Sequence, residues 1–383
     1  MNNLIIAFAK DWNDVPTCTT HVLREMAKTS EVLWISSIGM RRPSLTSSRD
    51  TKRILQRLQT GLRRAEWKEN QLRVLMPLII PRAQSVFARS INCRLLKWMV
   101  NREARNWSSA ETELWTFMPS GVDFAGCFNE KKLVYYCPDD WSKFSTYDAT
   151  WMTYCENTLL QKANVVFATS RFLESKFHPL AGNRVHYMPH GVNHAHFATA
   201  LASETIIPDE IIHLPKPVIG FYGNIYDWID FDLLAKLAQE RPQWSFVMIG
   251  PLYTNISRFA DVPNVYFLGR REQRCLPPYC KGFDAAIIPY KLTDPRMESV
   301  NPVKMRELLA AGVPIAASDL PEARRVSEHV ITARTVPEFL AALEIHLENS
   351  RCDPQLRNKI SDERKSDDWR IKVQQIRSIV EQS

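Results

Sequence analysis

The sequence predicts an α/β protein made of two doubly wound, Rossmann-like domains. Three observations predict it. The chain has 383 residues, enough for two domains at about 100–200 residues each. Short apolar runs alternate with amphipathic stretches, most clearly in the second half, the pattern of a parallel sheet covered by helices. A hydrophobic fraction of 45% with 24% charged residues is that of a packed chain and excludes wholesale disorder.

Taken in order, Leu4–Ala9 reads as a buried strand, 11–16 as a loop, and Thr19 or Thr20 as the cap of a helix reaching Lys28. Glu31–Ser36 is a second strand. A basic segment follows and reads as helices broken by Pro77 and Pro81. Residues 113–117, 133–136 and 165–168 are further buried strands, and Thr169 or Ser170 caps a helix from Arg171. The second half gives strands at 218–222, 245–249, 265–268, 285–289 and 314–317, with an amphipathic helix at 231–239. The halves meet near 187–197. Ligands of such folds sit at the carboxyl ends of strands, so a cleft between the domains is the expected place for chemistry.

Composition and charge narrow the class. No run of about 18 apolar residues is present, so no bilayer-spanning helix is expected. The first residues lack a cationic start and reach Asp11 too early for a secretory signal. Eight scattered cysteines without a CxxC pair fit unpaired thiols in a reducing cytoplasm, and neither they nor His190, His194 and His196 have the spacing of a metal site. The net charge of +7 is uneven: residues 41–105 carry 16 Lys/Arg against four acids, which points to an anionic partner. Residues 77–107 mix the two chemistries of a helix lying on an anionic bilayer. Ile91, Leu95, Trp98 and Met99 are expected on one face, with Arg94, Lys97 and Arg102 as its cations. No nucleic-acid-binding motif is visible.

The segment 298–314 carries the densest chemistry. Asn301 suits an N-cap, Pro302 the first helical position, and Gly312 with Pro314 the stop. Such a helix offers its free N–H groups to a phosphate, Lys304 adds a full charge, and Glu307 on the same face can accept hydrogen bonds from ribose hydroxyls. The bland alternative is a capped surface helix with an i,i+3 ion pair. Gly223 with Asn224, and Gly269 with Arg270, end strands where a phosphate or flat base can approach the backbone. Tyr290 follows another strand and can touch a diphosphate or base, or simply fill the core. In the first half, Asp139 and Asp140 follow a buried strand. Either can serve as general base for an attacking hydroxyl, with Asp140 slightly preferred, or cap the next helix. His21 and His190 can hydrogen-bond acceptor and donor.

Taken together these motifs resemble a GT-B glycosyltransferase. Pro302 to Pro314 (PxKxxExLAAGxP), the HGVN element at 190–193 and the VYFLG step at 265–269 resemble the donor domain of the family-four retaining transferases. YYCPDDW at 135–141, followed by ATSRFLESKF, resembles teichuronic-acid-type transferases and, more distantly, GumK-like glucuronosyltransferases of exopolysaccharide synthesis. Loop 10–20 has no glycine, which fits that subgroup. The resemblance implies an acceptor- and membrane-binding domain over 1–190, a nucleotide-sugar-binding domain over 200–365, and a last helix in 366–383 packing back on the first domain. It also implies a cytoplasmic enzyme attached peripherally to the inner face of the plasma membrane. That enzyme would move a sugar from a UDP-sugar to a lipid-linked or polysaccharide acceptor, with no metal or other cofactor. One position departs from the family. The first glutamate of its E-x7-E motif would fall at 299, which is Ser299, while Glu298 is one residue off. A nucleotide-sugar 2-epimerase and a non-catalytic adaptor on the same fold are the rival readings.

Overall fold

The computed structural model describes residues 3–14, 16–36, 64–77, 79–80, 86–104 and 111–383. The chain divides into two compact units, one of Met1–Pro189 with Val373–Ser383, the other of His190–Lys372.

The first unit holds an eight-stranded sheet: β1 (Leu4–Ala9), β2 (Glu31–Ser36), β3 (Glu66–Glu69), β4 (Leu72–Leu75), β5 (Thr112–Thr116), β6 (Lys132–Cys137), β7 (Val165–Ala168) and β8 (Val185–Tyr187), ordered β3-β4-β2-β1-β5-β6-β7-β8. Every pairing is parallel except β3 with β4. The inner strands are buried except at the first residue of β2, β5 and β6, which is why they read as apolar runs rather than alternating ones. Helices α1 (Cys18–Met26), α2 (Val86–Ala104), α3 (Ala149–Lys162) and α4 (Arg171–Ala181) accompany the sheet.

Three expectations for this unit need correction. The cap of α1 is Thr17, not Thr19 or Thr20: Thr17 and Thr20 form a capping box, and the Thr17 backbone N–H donates to Thr20 Oγ1 at 3.2 Å. Part of the basic segment is not helical, since 66–75 forms the β3–β4 hairpin turning at Asn70, whose φ is 46°. Residues 86–104 of that segment are helical as expected, and 41–63, 78, 81–85 and 105, with Pro81, lie outside the described residues. Finally, Cys93 of α2 is bonded to Cys127 rather than left as a thiol, because the helix and the turn after β5 bring their Cα atoms to 6.7 Å.

The second unit holds β9 (Val218–Tyr222), β10 (Ser245–Ile249), β11 (Val265–Gly269), β12 (Ala285–Ile288), β13 (Ile315–Ser318) and β14 (Val330–Ala333), all parallel, ordered β11-β10-β9-β12-β13-β14. Its helices include α5 (Phe231–Glu240), α6 (Leu276–Gly282), α7 (Val303–Ala310), α8 (Val336–Cys352) and α9 (Leu356–Asp362). Counted from β9, this is the 3-2-1-4-5-6 order of a dinucleotide-type fold, whose switch point falls between β9 and β12. The last helix, α10 (Trp369–Gln382), starts in the second unit and continues in the first from Val373. There Arg377 makes a two-pronged ion pair with buried Glu113, at 2.6 and 3.0 Å, and Lys132 donates to the carbonyl of Val380.

Candidate functional site

In the second unit the switch point gathers Gly223, Tyr290, Lys304 and Glu307. Gly223 ends β9 with φ 134°, and a Cβ there would run into Lys304 Nζ. Gly250 ends β10 with φ 151°, and a side chain on it would strike the Gly223 carbonyl. Only glycine fits either place, so two neighbouring strand ends present bare backbone. Helix α7 opens beside them, and Gly312, at φ 74°, closes it as the sequence predicts. Asn301 is not its cap: the Asn301 amide oxygen accepts from buried Arg306 at 2.9 Å, and Pro302 occupies the cap position.

Lys304 is half-buried. Its ammonium lies 4.3 Å from the centre of the Phe221 ring and donates to the Tyr290 hydroxyl at 3.0 Å. It is therefore held over an aromatic floor rather than ion-paired to Glu307 in the manner of a surface helix. Glu307 is 8% exposed, and its two oxygens accept from Tyr222 Oη and Gln273 Nε2, both at 3.0 Å. Burial raises its pKa, partly offset by those donors and by Lys304. A carboxylate with two neutral donors keeps lone pairs for further hydroxyls. Asn224 and Arg270 are exposed, and Gly269, at φ 70°, accepts from the Gly250 N–H at 2.9 Å.

The loop before α7 settles the odd register at 298–299. A short 3-10 turn, Pro295–Glu298, leaves Glu298 exposed and buries Ser299, whose hydroxyl donates to the Arg296 carbonyl at 3.1 Å. The inward position is thus a serine.

His190 is buried, and desolvation, then Arg306, holds its pKa down to about 3, so the ring is neutral. Its Nδ1 has no hydrogen-bond partner among the described residues. His194 and His196 each set Nε2 against a backbone carbonyl, that of Ser361 at 2.9 Å and of Gln273 at 3.1 Å. The His/Glu group that does converge is elsewhere. Glu328, His329 and Glu363 bring ligand atoms within 4.8 Å of one another at the amino ends of β13 and β14, away from the strand ends described above.

In the first unit, the two aspartates after β6 separate cleanly. Asp140 is buried and already committed: it caps the turn Trp141–Lys143, accepts from the Ser142 hydroxyl at 2.7 Å, and pairs with Lys176 of α4 at 2.9 Å. Lys176 also pairs with Glu156 of α3 at 2.8 Å, and Tyr135 donates to Glu156 at 2.9 Å. Hydrogen bonds from Ser142 and Lys176 outweigh burial and lower the Asp140 pKa. Asp139 is half-buried, and no hydrogen bond reaches its carboxylate from the described residues. Burial, then the Asp140 charge, pushes it up to about 7. Of the two, it is Asp139 whose pKa is moved towards neutrality, whereas the sequence slightly favoured Asp140. Near it, burial and Asp139 push buried Cys18 up to about 12, and Lys10, at the end of β1, is lowered by burial. His21 lies half-buried on the first turn of α1.

Lys176, Lys10, Tyr222 and Gln273 escaped sequence reasoning. Lys176, Tyr222 and Gln273 reach their partners across the fold, while Lys10 interacts with Asp14 and Cys18 of its own segment.

The residues expected to face a membrane all lie on α2. Leu96, Met99 and Val100 face the core, so Met99 does not share an outward face with Trp98. The outward side carries Phe87, 75% exposed, Trp98, 53% exposed, and Arg94 and Lys97, with Leu95 half-buried and the Arg102 guanidinium 5.2 Å above the Trp98 ring.

Residues 216–349 match the family described as glycosyl transferases group 1. The chain is 27% identical over 253 residues to a putative teichuronic acid biosynthesis glycosyltransferase, TuaH of Bacillus subtilis. That match spans 60% of this chain and 62% of the relative, less than two thirds of its length. Among solved structures, sucrose-phosphate synthase from Thermosynechococcus elongatus aligns with TM-score 0.70 at 13% identity, covering 100% of this chain and 99% of that one. Anabaena HepE in complex with UDP aligns with TM-score 0.67 at 14% identity, covering 100% of both. At that identity the likeness is one of fold, the GT-B fold of two Rossmann-like domains, and the residues that match glycosyl transferases group 1 fall in the second.

Proposed function

We propose that the protein moves a sugar from a nucleotide-sugar donor, a UDP-sugar, to a lipid-linked or polysaccharide acceptor in cell-surface glycan synthesis, at the inner face of the plasma membrane. The observation that carries this reading is the placing of Lys304 and Glu307 on one helix beside two glycine-ended strands at the switch point. Bare backbone and an ammonium that no acid pairs with among the described residues suit a diphosphate, and a buried carboxylate one turn on suits ribose hydroxyls. UDP as the nucleotide is supported by the UDP and UDP-glucose complexes of HepE. A cell-surface product is supported by the teichuronic acid biosynthesis for which the Bacillus relative is named.

In a direct displacement, the acceptor oxygen bonds to the anomeric carbon as that carbon's bond to the diphosphate breaks. Lys304 neutralises the charge growing on the leaving nucleotide. Asp139 takes the proton released by the acceptor hydroxyl, a task for which a carboxylate near pH 7 is matched. The apolar and basic side of α2 holds the enzyme against anionic lipid.

A thermal-shift series with UDP, GDP, dTDP, CMP and their sugars tests the reading. A ligand at 100 times its dissociation constant adds about 2.7 kcal/mol to the folded state. We expect stabilisation by UDP and one UDP-sugar, lost in Glu307→Ala. No stabilisation by any nucleotide would sink the assignment.

A further inference from the structure

The loop 223–230 carries two half-buried aromatic rings that do not touch Lys304: Trp228 packs partly on the core, and Tyr226 stacks on it. Tyr226 lies 4.2 Å, centroid to centroid, from Trp228 at an interplanar angle of 27°, and 4.2 Å from Tyr253 at 9°. Two rings that close to a third must cover its opposite faces, so the three form a stack with Tyr226 in the middle. The Arg296 guanidinium sits 4.9 Å over Trp228 and closes that end. Arg296 is itself clamped, with Nε 2.9 and 3.0 Å from the two oxygens of Asp294. Tyr253 is the other end, and it is 56% exposed.

This stack is fixed by the backbone beneath it. The Ile225 N–H donates to the Pro251 carbonyl at 3.1 Å, the Tyr253 N–H to Ile225 at 2.9 Å, and the Lys291 N–H to Trp228 at 2.9 Å. Its rings therefore lose little freedom when something packs on them. The loop also begins and ends at Lys304: Gly223 abuts the ammonium, and Ile229 bridges to Tyr290, whose hydroxyl accepts from that same ammonium. Exposed aromatic surface of this kind is costly to leave in water and marks a place of contact.

The surroundings identify the occupant's chemistry. A ring face carries a negative quadrupole, which attracts C–H hydrogens and repels anions. Asp227 lies 3.8 Å from the Arg296 guanidinium at the Trp228 end and offsets its charge, so no cation faces Tyr253 from that pair, while Asn224 and Asn255, exposed in the same two loops, offer partners to hydroxyls. A diphosphate or carboxylate is disfavoured there. A pyranose ring, apolar on one face and hydroxylated at its rim, fits both features.

We propose that the Trp228–Tyr226–Tyr253 stack is a pyranose-binding subsite, on which a neutral sugar ring packs against Tyr253 beside Lys304. The glycosyltransferase reading, on which this rests, supplies two sources of that ring, the donor's sugar and the acceptor glycan.

Calorimetric titration of the full chain separates them. One arm compares UDP-glucose with UDP. The other titrates neutral α- and β-linked tetrasaccharides of glucose, galactose, mannose and N-acetylglucosamine in saturating UDP. Both are run on the wild type, Tyr253→Ala and Tyr253→Phe. An aromatic contact of this size is worth about threefold to tenfold in affinity. We expect Tyr253→Ala to lose that much on one arm, Tyr253→Phe to restore it, and the affinity for UDP itself to be unchanged. Equal affinities in all three proteins overturn the proposal. So does a loss confined to UDP, which would assign the stack to the base, and so does a wild type that binds UDP but gains nothing from any sugar. A wild type that binds no nucleotide refutes the glycosyltransferase reading instead, and the saccharide arm, repeated without UDP, still decides the stack.

Discussion

The two units share a doubly wound, parallel plan and differ in what they place at the strand ends. In the second unit the switch point is glycine, one half-buried lysine on an aromatic floor, and a carboxylate satisfied by neutral donors. In the first, the end of β6 is crowded with ionisable groups: Asp139, Asp140 and Lys176, with Glu156 and Tyr135 behind them. The same plan thus carries two kinds of electrostatics. Bare N–H groups and a fixed cation receive an anion without moving a proton. Coupled buried carboxylates, of which one is pinned as an anion and its neighbour is pushed towards neutrality, hold a proton that can move. On the function proposed above, the second unit binds the nucleotide and the first moves the proton.

The sharpest way to break that contrast is Asp139→Asn. General-base contributions are about 10²–10⁴-fold, so kcat should fall by that order while nucleotide affinity stays put. The same variant makes a stability prediction of opposite direction. Asp139 sits at about 7 against an ordinary 3.8, so the folded state favours its protonated form. The contribution of Asp139 to stability is therefore lost as pH climbs from about 4 through about 7, and the asparagine variant lacks that loss. Its melting temperature should exceed the wild type's at pH 8 and match it near pH 4. A variant with wild-type kcat would dissolve the assignment of proton transfer to the first unit.

Lys304→Ala probes the other side. A charge-assisted hydrogen bond is worth about 1.5–3 kcal/mol, so UDP affinity should fall by roughly 10–150-fold. The pH dependence of the remaining activity should be unaltered, which separates it from Asp139→Asn.

The sequence made the framework legible and left the charges' partners hidden. Buried parallel strands announce themselves as apolar runs, so β1, β2, β9 and β10 could be read to the residue. Helix α7 was legible because glycine and proline punctuate it. The β3–β4 hairpin was not, since β3, Glu66–Glu69, is mostly exposed and charged, and a strand that buries no face has no period to find. Nor could the order of Asp139 and Asp140 be read, for what distinguishes them is Lys176, 36 residues beyond Asp140. The donors on Glu307 are 34 and 85 residues away. Local patterns predict backbone; the ionisation of a site is set by groups the fold brings from afar.

Lys176→Met tests the pinning of Asp140 at a smaller scale. The Asp140 pKa is lowered in the folded state, so its contribution to stability is present above about pH 4 and is lost as pH falls below that, through the lowered folded value. Removing the lysine should cost about 1–2 kcal/mol at pH 8, discounted for its partial exposure, and much less at pH 4, where the orphaned carboxylates take up protons. Denaturant unfolding at the two pH values measures it. An equal loss at both would mean that the alkyl chain, not the charge, matters.

The smallest effect belongs to a surface that neither site uses. Helix α2 is tied to the first unit on its inner side, where Asn92 brackets the Ile80 backbone at 2.8 and 3.1 Å and Arg89 pairs with Asp123 at 3.3 Å. These ties leave Arg94, Lys97, Phe87 and Trp98 outward, and none of them props up a catalytic group. If that side meets anionic lipid, each cation contributes about 1 kcal/mol, so Arg94→Gln should weaken binding to phosphatidylserine vesicles about fivefold at low salt and progressively less as salt is added. UDP affinity and the pH profile should not change at all. Vesicle binding that ignores both the substitution and the salt would leave the contrast between the two sites intact and remove the membrane from the first unit's role.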